Sequence, residues 1–251
     1  MQKIVAIGGG NLGFGAAKPE VTSISREIIR LSGKKRPHLL FIPTASSDDP
    51  GYVRAVRSHF GRKFHCEVEE LYLLKNPAQF SEIQARISRA DILYVGGGNT
   101  LMMMTRWKKL GVDRLLQQAR ERGKVLCGPS AGAICWFRQG NSDSRKFRNP
   151  KAKLIKVTGL GFIDALACPH YDVEKDRKPE LREMMKKTKG VAIALDNGAA
   201  LEVVGRKYRA LASKPKAGVY KVYWSKGKYF QEKQPISGAW KTLDKLLVKP
   251  L

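Results

Sequence analysis

Lys124-Val125-Leu126-Cys127-Gly128-Pro129-Ser130-Ala131-Gly132-Ala133-Ile134-Cys135-Trp136 joins one apolar run to a second, helix-compatible one through Gly-Pro-Ser-Ala-Gly. An apolar strand that enters a tight turn and leaves as a helix is the setting of a nucleophile elbow, which lifts a hydroxyl clear of the sheet. The small residues Gly128, Ala131 and Gly132 let the backbone turn sharply enough to present Ser130. The Ala131 N–H, at the head of the following helix, points the same way and suits a developing oxyanion. A blander reading makes Ser130 a helix cap in a glycine-rich turn. Gly-x-Ser-x-Gly is common, so its surroundings carry the weight.

Outward from this turn, short apolar runs alternate with amphipathic stretches, the rhythm of a parallel sheet covered by helices. Strands are expected at 3–7, 38–43, 67–74, 91–95 and 124–127, and helices at 25–31, 52–60, 80–88 and 112–122. Beyond Ser130 the pattern loosens, with further strands expected at 165–168 and 191–195. Tyr220, Val222 and Trp224 alternate with polar residues up to a turn at Ser225-Lys226-Gly227, which reads as a hairpin. The expected fold is α/β: a single doubly wound, mostly parallel sheet with helices on both faces and a C-terminal β-hairpin. No linker is long or polar enough to divide the chain, so residues 1–251 are expected to form one domain.

A second glycine-rich turn, Gly96-Gly97-Gly98-Asn99-Thr100, follows the strand at 91–95. Adjacent strand ends bring such loops together, so the Gly97 and Gly98 amides are candidates to complete an oxyanion hole, with Asn99 beside the substrate. Gly8-Gly9-Gly10-Asn11 after the first strand resembles a phosphate loop, but neither loop has the Lys-Ser/Thr ending of a P-loop or full dinucleotide-binding spacing.

A serine hydroxyl needs a base to take its proton. Of four histidines, His38, His59 and His65 precede the turn, whereas His170 ends the run Ala165-Leu166-Ala167-Cys168-Pro169, which would deliver it to the same rim as Ser130. The third member must orient the imidazole. Asp143 and Asp196 both qualify by position, while Asp172 and Glu174 lie too near His170 along the chain to meet it easily and are expected to shape the pocket.

Lys and Arg number 47 against 22 Asp and Glu, a formal charge of +25. The basic residues are spread along the chain without a nucleic-acid motif, so a solvated basic surface is expected in place of a specific nucleic-acid partner. The amino terminus offers only a short apolar run that breaks at glycines, which fits neither a signal peptide nor a membrane span and points to the cytoplasm. Cys66, Cys127, Cys135 and Cys168 lack the paired spacing of a zinc site and are expected to be reduced core residues, with no metal bound.

Taken together, Tyr94-Val95-Gly96-Gly97-Gly98-Asn99-Thr100, Gly128-Pro129-Ser130-Ala131-Gly132-Ala133 and Cys168-Pro169-His170-Tyr171 resemble the peptidase E and cyanophycinase family of serine peptidases, over roughly residues 1–205. The resemblance implies an α/β fold related to class I glutamine amidotransferases and no cofactor. It makes Ser130 the nucleophile, His170 the base, and the Ala131, Gly97 and Gly98 amides the oxyanion hole. It also favours Asp143, near the family's usual acidic position, over Asp196. Members differ in substrate: peptidase E removes amino-terminal aspartate from dipeptides, and cyanophycinase cuts β-aspartyl-arginine links. The expectation is therefore a serine exopeptidase or amidohydrolase acting on a small peptide, with aspartyl dipeptides as candidates. Arg177 and Arg182 are the first arginines after His170 and the candidates to pair with an acidic side chain, Arg177 being assigned to substrate binding. The competing functions are an esterase with an α/β-hydrolase elbow and a catalytically idle binding protein of the same fold.

Overall fold

The apolar run at the amino terminus becomes strand β1 (Lys3–Ile7), the middle of the larger sheet. A computed structural model of the chain describes residues 1–13 and 19–250. After β1 come α1 (Thr22–Ser32), β2 (His38–Ile42), α2 (Pro50–Val56), β3 (Glu67–Glu70), α3 (Phe80–Arg89), β4 (Ile92–Val95), α4 (Thr100–Leu110), α5 (Val112–Glu121) and β5 (Val125–Pro129). Beyond Ser130 the order is α6 (Ala131–Ile134), β6 (Phe137–Ser142), β7 (Ile155–Thr158), β8 (Ile163–Cys168), α7 (Arg177–Lys186), β9 (Ala192–Leu195), β10 (Ala199–Val204), β11 (Lys207–Ala212), β12 (Val219–Ser225), β13 (Lys228–Gln234), β14 (Lys241–Thr242) and α8 (Leu243–Leu247).

These strands form two mixed sheets, which corrects the expectation of a single, mostly parallel one. The eight-stranded sheet has the order β14-β11-β10-β1-β5-β4-β2-β3. Its β1, β5, β4, β2 and β3 run parallel, but β10 pairs with β1 antiparallel and continues antiparallel through β11 and β14. The six-stranded sheet, β13-β12-β9-β8-β6-β7, has a parallel centre of β6, β8 and β9 flanked by antiparallel neighbours. The physical reason lies in the connections. A parallel neighbour needs a crossover, whereas β10 and β11 are joined tightly through Gly205-Arg206, with Val204 opposite Lys207, and so must run antiparallel. Helix α6 is only four residues long, and the chain leaves it almost at once into the second sheet. The hairpin of β12 and β13 turns at Lys226-Gly227, both at positive φ (49° and 75°), the turn geometry that matches strand twist.

Alternation along the strands separates the faces of the larger sheet. Val5, Ile7, Leu39 and Phe41 pack with Ile24 and Ile28 of α1 and Val53 and Val56 of α2. Ile4, Ala6, Leu40 and Ile42 belong to a cluster with Ile83 and Ile87 of α3 and Leu115 and Leu116 of α5. The second sheet contributes Ile163, Ala165, Ala167, Ile193 and Leu195 to that same cluster, so the two sheets share one core. Its opposite face, Leu166, Cys168, Ala192 and Ala194, is covered by Leu181 and Met185 of α7. All four cysteines are free and buried. Among the described residues no helix is long and apolar enough to cross a membrane.

Candidate active site

Strands β1, β4 and β5 lie side by side, and the residues that follow them converge. The Ser130 N–H donates to the carbonyl of Ile7 (3.1 Å) and the His170 N–H to the carbonyl of Gly8 (3.0 Å), so two consecutive carbonyls at the end of β1 hold both residues. Ser130 sits at φ 55° and ψ −114°, a conformation costing a non-glycine residue of order 1–3 kcal/mol. Its side chain makes no capping hydrogen bond to α6, which removes the capping reading. The turn is tight: a Cβ at either Gly128 or Gly132 would lie 2.1 Å from the Val95 carbonyl oxygen. Across from it, a Cβ at Gly97 would come within 3.3 Å of Ser130 Cβ and 3.9 Å of its Oγ, so the glycine loop after β4 lies against Ser130.

His170 Nδ1 is 2.8 Å from Oδ1 of Asn197, and the Asn197 N–H donates to Asp172 Oδ1 at 2.8 Å. With the amide oxygen accepting, the imidazole proton sits on Nδ1 and the Nε2 lone pair is free to act as base. Gly9 lies directly beneath the pair: a Cβ there would be 2.2 Å from Asn197 Oδ1 and 2.5 Å from His170 Cε1. The glycines after β1, which resemble a phosphate loop in sequence, thus leave room for the His170 and Asn197 side chains.

The two carboxylates expected to compete for His170 are both engaged elsewhere. Asp143 lies 3.9 Å from the Arg177 guanidinium. Asp196 accepts hydrogen bonds from the Gly218 N–H (2.9 Å) and the Tyr220 hydroxyl (3.2 Å), while burial and then the neighbouring Asp172 push its carboxyl above the usual carboxylate range. Asn197, one residue beyond Asp196, is not among the residues expected from the sequence, because the third position calls for a carboxylate and an amide carries no charge. The signal was the Asp-Asn-Gly turn closing the β9 run, which puts Asn197 on the same rim as His170.

Arg177, assigned to substrate, is 1% exposed and bound instead to Glu174 Oε2 (2.6 Å) and the Asn141 carbonyl (2.7 Å), tying α7 to β6. Arg182 stacks over Trp224 and Tyr229. Asn99 caps α4, its Oδ1 accepting from the Met102 N–H at 3.0 Å, and donates through Nδ2 to the Ser144 carbonyl. The other histidines lie elsewhere. His59 bonds Ser25 Oγ at 2.8 Å and is held down to about 4 by burial and then by Lys63, and His38 pairs with Glu69.

Among the expected oxyanion donors, the Gly97 N–H donates to the Tyr52 hydroxyl at 3.3 Å. Burial pushes that phenol up to about 12, so it is neutral at physiological pH. The Gly98 and Ala131 N–H groups have no acceptor among the described residues. No group of three or more His, Cys, Asp or Glu side chains among the described residues is gathered to hold a metal ion.

Residues 4–211 match the model of Peptidase family S51. The chain is 36% identical over 224 residues to the uncharacterized peptidase YgaJ of Bacillus subtilis, covering 88% of this chain and 92% of that one. It is 24% identical over 180 residues to peptidase E of Streptomyces coelicolor, covering 66% and 68%. Among solved structures it is similar to a peptidase from an acI-B1 actinobacterium, with a TM-score of 0.72 at 18% identity and coverage of 96% and 97%. A putative peptidase E of Listeria monocytogenes superposes with a TM-score of 0.64 at 21% identity, covering 84% and 98%.

Proposed function

The chain belongs to peptidase family S51, and from this we propose that it is a serine peptidase cleaving small peptides through an acyl-enzyme on Ser130, with acidic residues preferred at the scissile bond. The single observation that carries the reading is the Ser130 backbone, strained at φ 55° and ψ −114° in a turn whose serine does not cap the helix it opens. Backbone strain of this kind persists where the surrounding fold enforces it, and it presents the hydroxyl to the rim.

In the proposed mechanism Ser130 Oγ attacks the substrate carbonyl carbon while His170 Nε2 takes the hydroxyl proton. The tetrahedral oxyanion is received by the free N–H groups of Ala131 and Gly98, and Gly97 joins them only by exchanging its bond to Tyr52. The intermediate collapses as the imidazolium gives its proton to the leaving amine, which departs and leaves an ester on Ser130. Water then attacks the ester, His170 again taking the proton, and the acid product leaves with Ser130 restored. Asn197 holds the ring in the tautomer that both steps need, the part an asparagine also plays in cysteine peptidases.

The direct test is labelling with a fluorophosphonate, located by mass spectrometry, alongside hydrolysis of a dipeptide library. Wild-type protein should carry the label on Ser130. Ser130→Ala should lose labelling and about 10³-fold or more of kcat while keeping its thermal unfolding midpoint. Unlabelled wild-type protein, or a Ser130→Ala variant that still turns over, would refute the assignment.

A further inference from the structure

Next to the oxyanion loop the surface sinks into a pocket of about 520 Å³, within the range of about 300–1,000 Å³ that holds small ligands. Its walls carry Arg106 and Lys109 from α4 and Arg145 and Arg148 from the turn after β6, and no carboxylate lines it. None of the four cations forms an ion pair among the described residues. Arg106 donates to the carbonyls of Leu73 and Leu74, which fixes its guanidinium in place. Asp48 is near enough to feel Arg106, but its carboxylate faces the Leu74 N–H at 3.3 Å. In a chain with +25 net charge, free cations are ordinary on convex surface. Four that converge on a concavity repel one another and are suited to an anion that replaces the missing counter-charge.

The pocket is joined to the reaction centre by covalent and hydrogen-bonded links. Asn99, which lines it, follows Gly97 and Gly98 directly, and a Cβ at Gly97 would lie 3.9 Å from Ser130 Oγ. Ser144, also in the lining, accepts from Asn99 Nδ2 through its carbonyl and from the Leu101 N–H through its Oγ, at 3.3 and 3.0 Å. The turn bearing Arg145 and Arg148 is therefore tied to the loop that faces the nucleophile.

We propose that this four-cation pocket binds an acidic segment of a peptide substrate, carrying two or more carboxylates beyond the scissile bond. The proposal rests on Ser130 being the nucleophile of a peptidase and adds where, and by what charge, the substrate is chosen. A single carboxylate needs one bidentate arginine. Four cations from two separate elements match a short run of acidic residues, and Arg177, buried and already paired, is not among them.

Equilibrium binding to Ser130→Ala protein tests this without requiring turnover, using the peptides tetraglutamate and tetraglutamine at low and physiological salt. Tetraglutamate should bind about tenfold more tightly at low salt, and the difference should narrow as salt rises. The double variant Arg145→Gln/Arg148→Gln, at exposed turn positions, should bring the two peptides close to parity, whereas Lys226→Gln/Lys228→Gln on the β12–β13 hairpin, outside the pocket lining, should change nothing. Fluorophosphonate labelling run in parallel separates the failures: an unlabelled Ser130 refutes the peptidase reading, and with it this role, whatever the peptides do. Equal affinity for the two peptides overturns the proposal, as does a preference that survives loss of Arg145 and Arg148. A thymidylate 12-mer that outcompetes tetraglutamate through the same two arginines would overturn the assignment to an acidic peptide.

Discussion

The side chain of Asn197 reaches His170 with Oδ1 2.8 Å from Nδ1, occupying the place at which a serine hydrolase usually carries a carboxylate. An amide can fix the tautomer but adds no negative charge to steady an imidazolium. Charge is supplied one step further out, by Asp172, which accepts the Asn197 N–H.

Asn197→Ala should lower kcat/KM by about 10²-fold, since it frees the ring proposed as the general base. Asn197→Asp should keep the ring in place and raise its basicity, moving the acid limb of the pH–kcat/KM profile to higher pH. Asp143→Asn should fall well short of Asn197→Ala, because Asp143 lies against Arg177. Profiles of the three purified variants decide the matter: the largest loss in Asp143→Asn would return the orienting role to that carboxylate.

Gly9→Ala should damage activity out of proportion to stability. The new Cβ would stand 2.2 Å from Asn197 Oδ1 and 2.5 Å from the His170 ring, so the pair must separate. Gly33→Ala is the control, a residue also at positive φ (72°) but with nothing within 4 Å of its Cβ, and should cost only about 1 kcal/mol of stability. Melting curves and kcat for both variants give the comparison, and equal activity would show that the His170 and Asn197 arrangement tolerates movement.

Tyr52→Phe removes the acceptor of the Gly97 N–H, a bond whose loss is worth about 0.5–1.5 kcal/mol. In the proposed mechanism Gly97 joins the oxyanion donors only by giving up this bond, and the oxyanion exists only in the transition state, so freeing the N–H should raise kcat, by up to about threefold, with KM little changed. A change confined to KM would mean that Tyr52 binds substrate directly.

Away from the site, Glu202 is fully buried on β10, bound to Arg209 at 2.6 Å, and burial pushes its carboxyl up to about 7. A carboxyl raised above its unfolded value contributes stability that is fully present below about 4.5 and is lost as pH rises through about 7. Glu202→Gln removes that dependence. The difference in melting temperature, variant minus wild type, should therefore increase from pH 5 to pH 8. A flat or falling difference would show that Glu202 is ionised in the folded protein throughout.

Local chemistry made the strand, turn and helix around Ser130 readable in the sequence. An apolar run, small residues on both sides of Ser130, and a second apolar run admit few backbone paths, because Gly128 and Gly132 must each pass within contact of Val95. The parallel strands β1, β2, β4 and β5 were equally visible, being apolar runs closing on glycine, proline or small polar residues, whereas β3 is only Glu67-Val68-Glu69-Glu70 and the apolar run at 71–74 expected to extend it lies beyond its end. Helix α4 was not, its Leu101-Met102-Met103-Met104 start lacking the alternation of apolar and charged residues that marked its neighbours. Which strands share a sheet was decided in three dimensions: backbone pairing is open to any sequence, and β8 and β9 carry the same apolar signal whether they extend the first sheet or build a second. The partner of His170 was decided there too. Asp143, Asp196 and Asn197 are all short polar residues near strand ends, and only the path of the chain past Gly9 selects the one whose side chain meets the ring. The same holds for the arginines: Arg177 and Arg145 look alike in sequence, but helix α7 buries the first against Asn141 and Glu174, and the turn after β6 leaves the second facing the pocket.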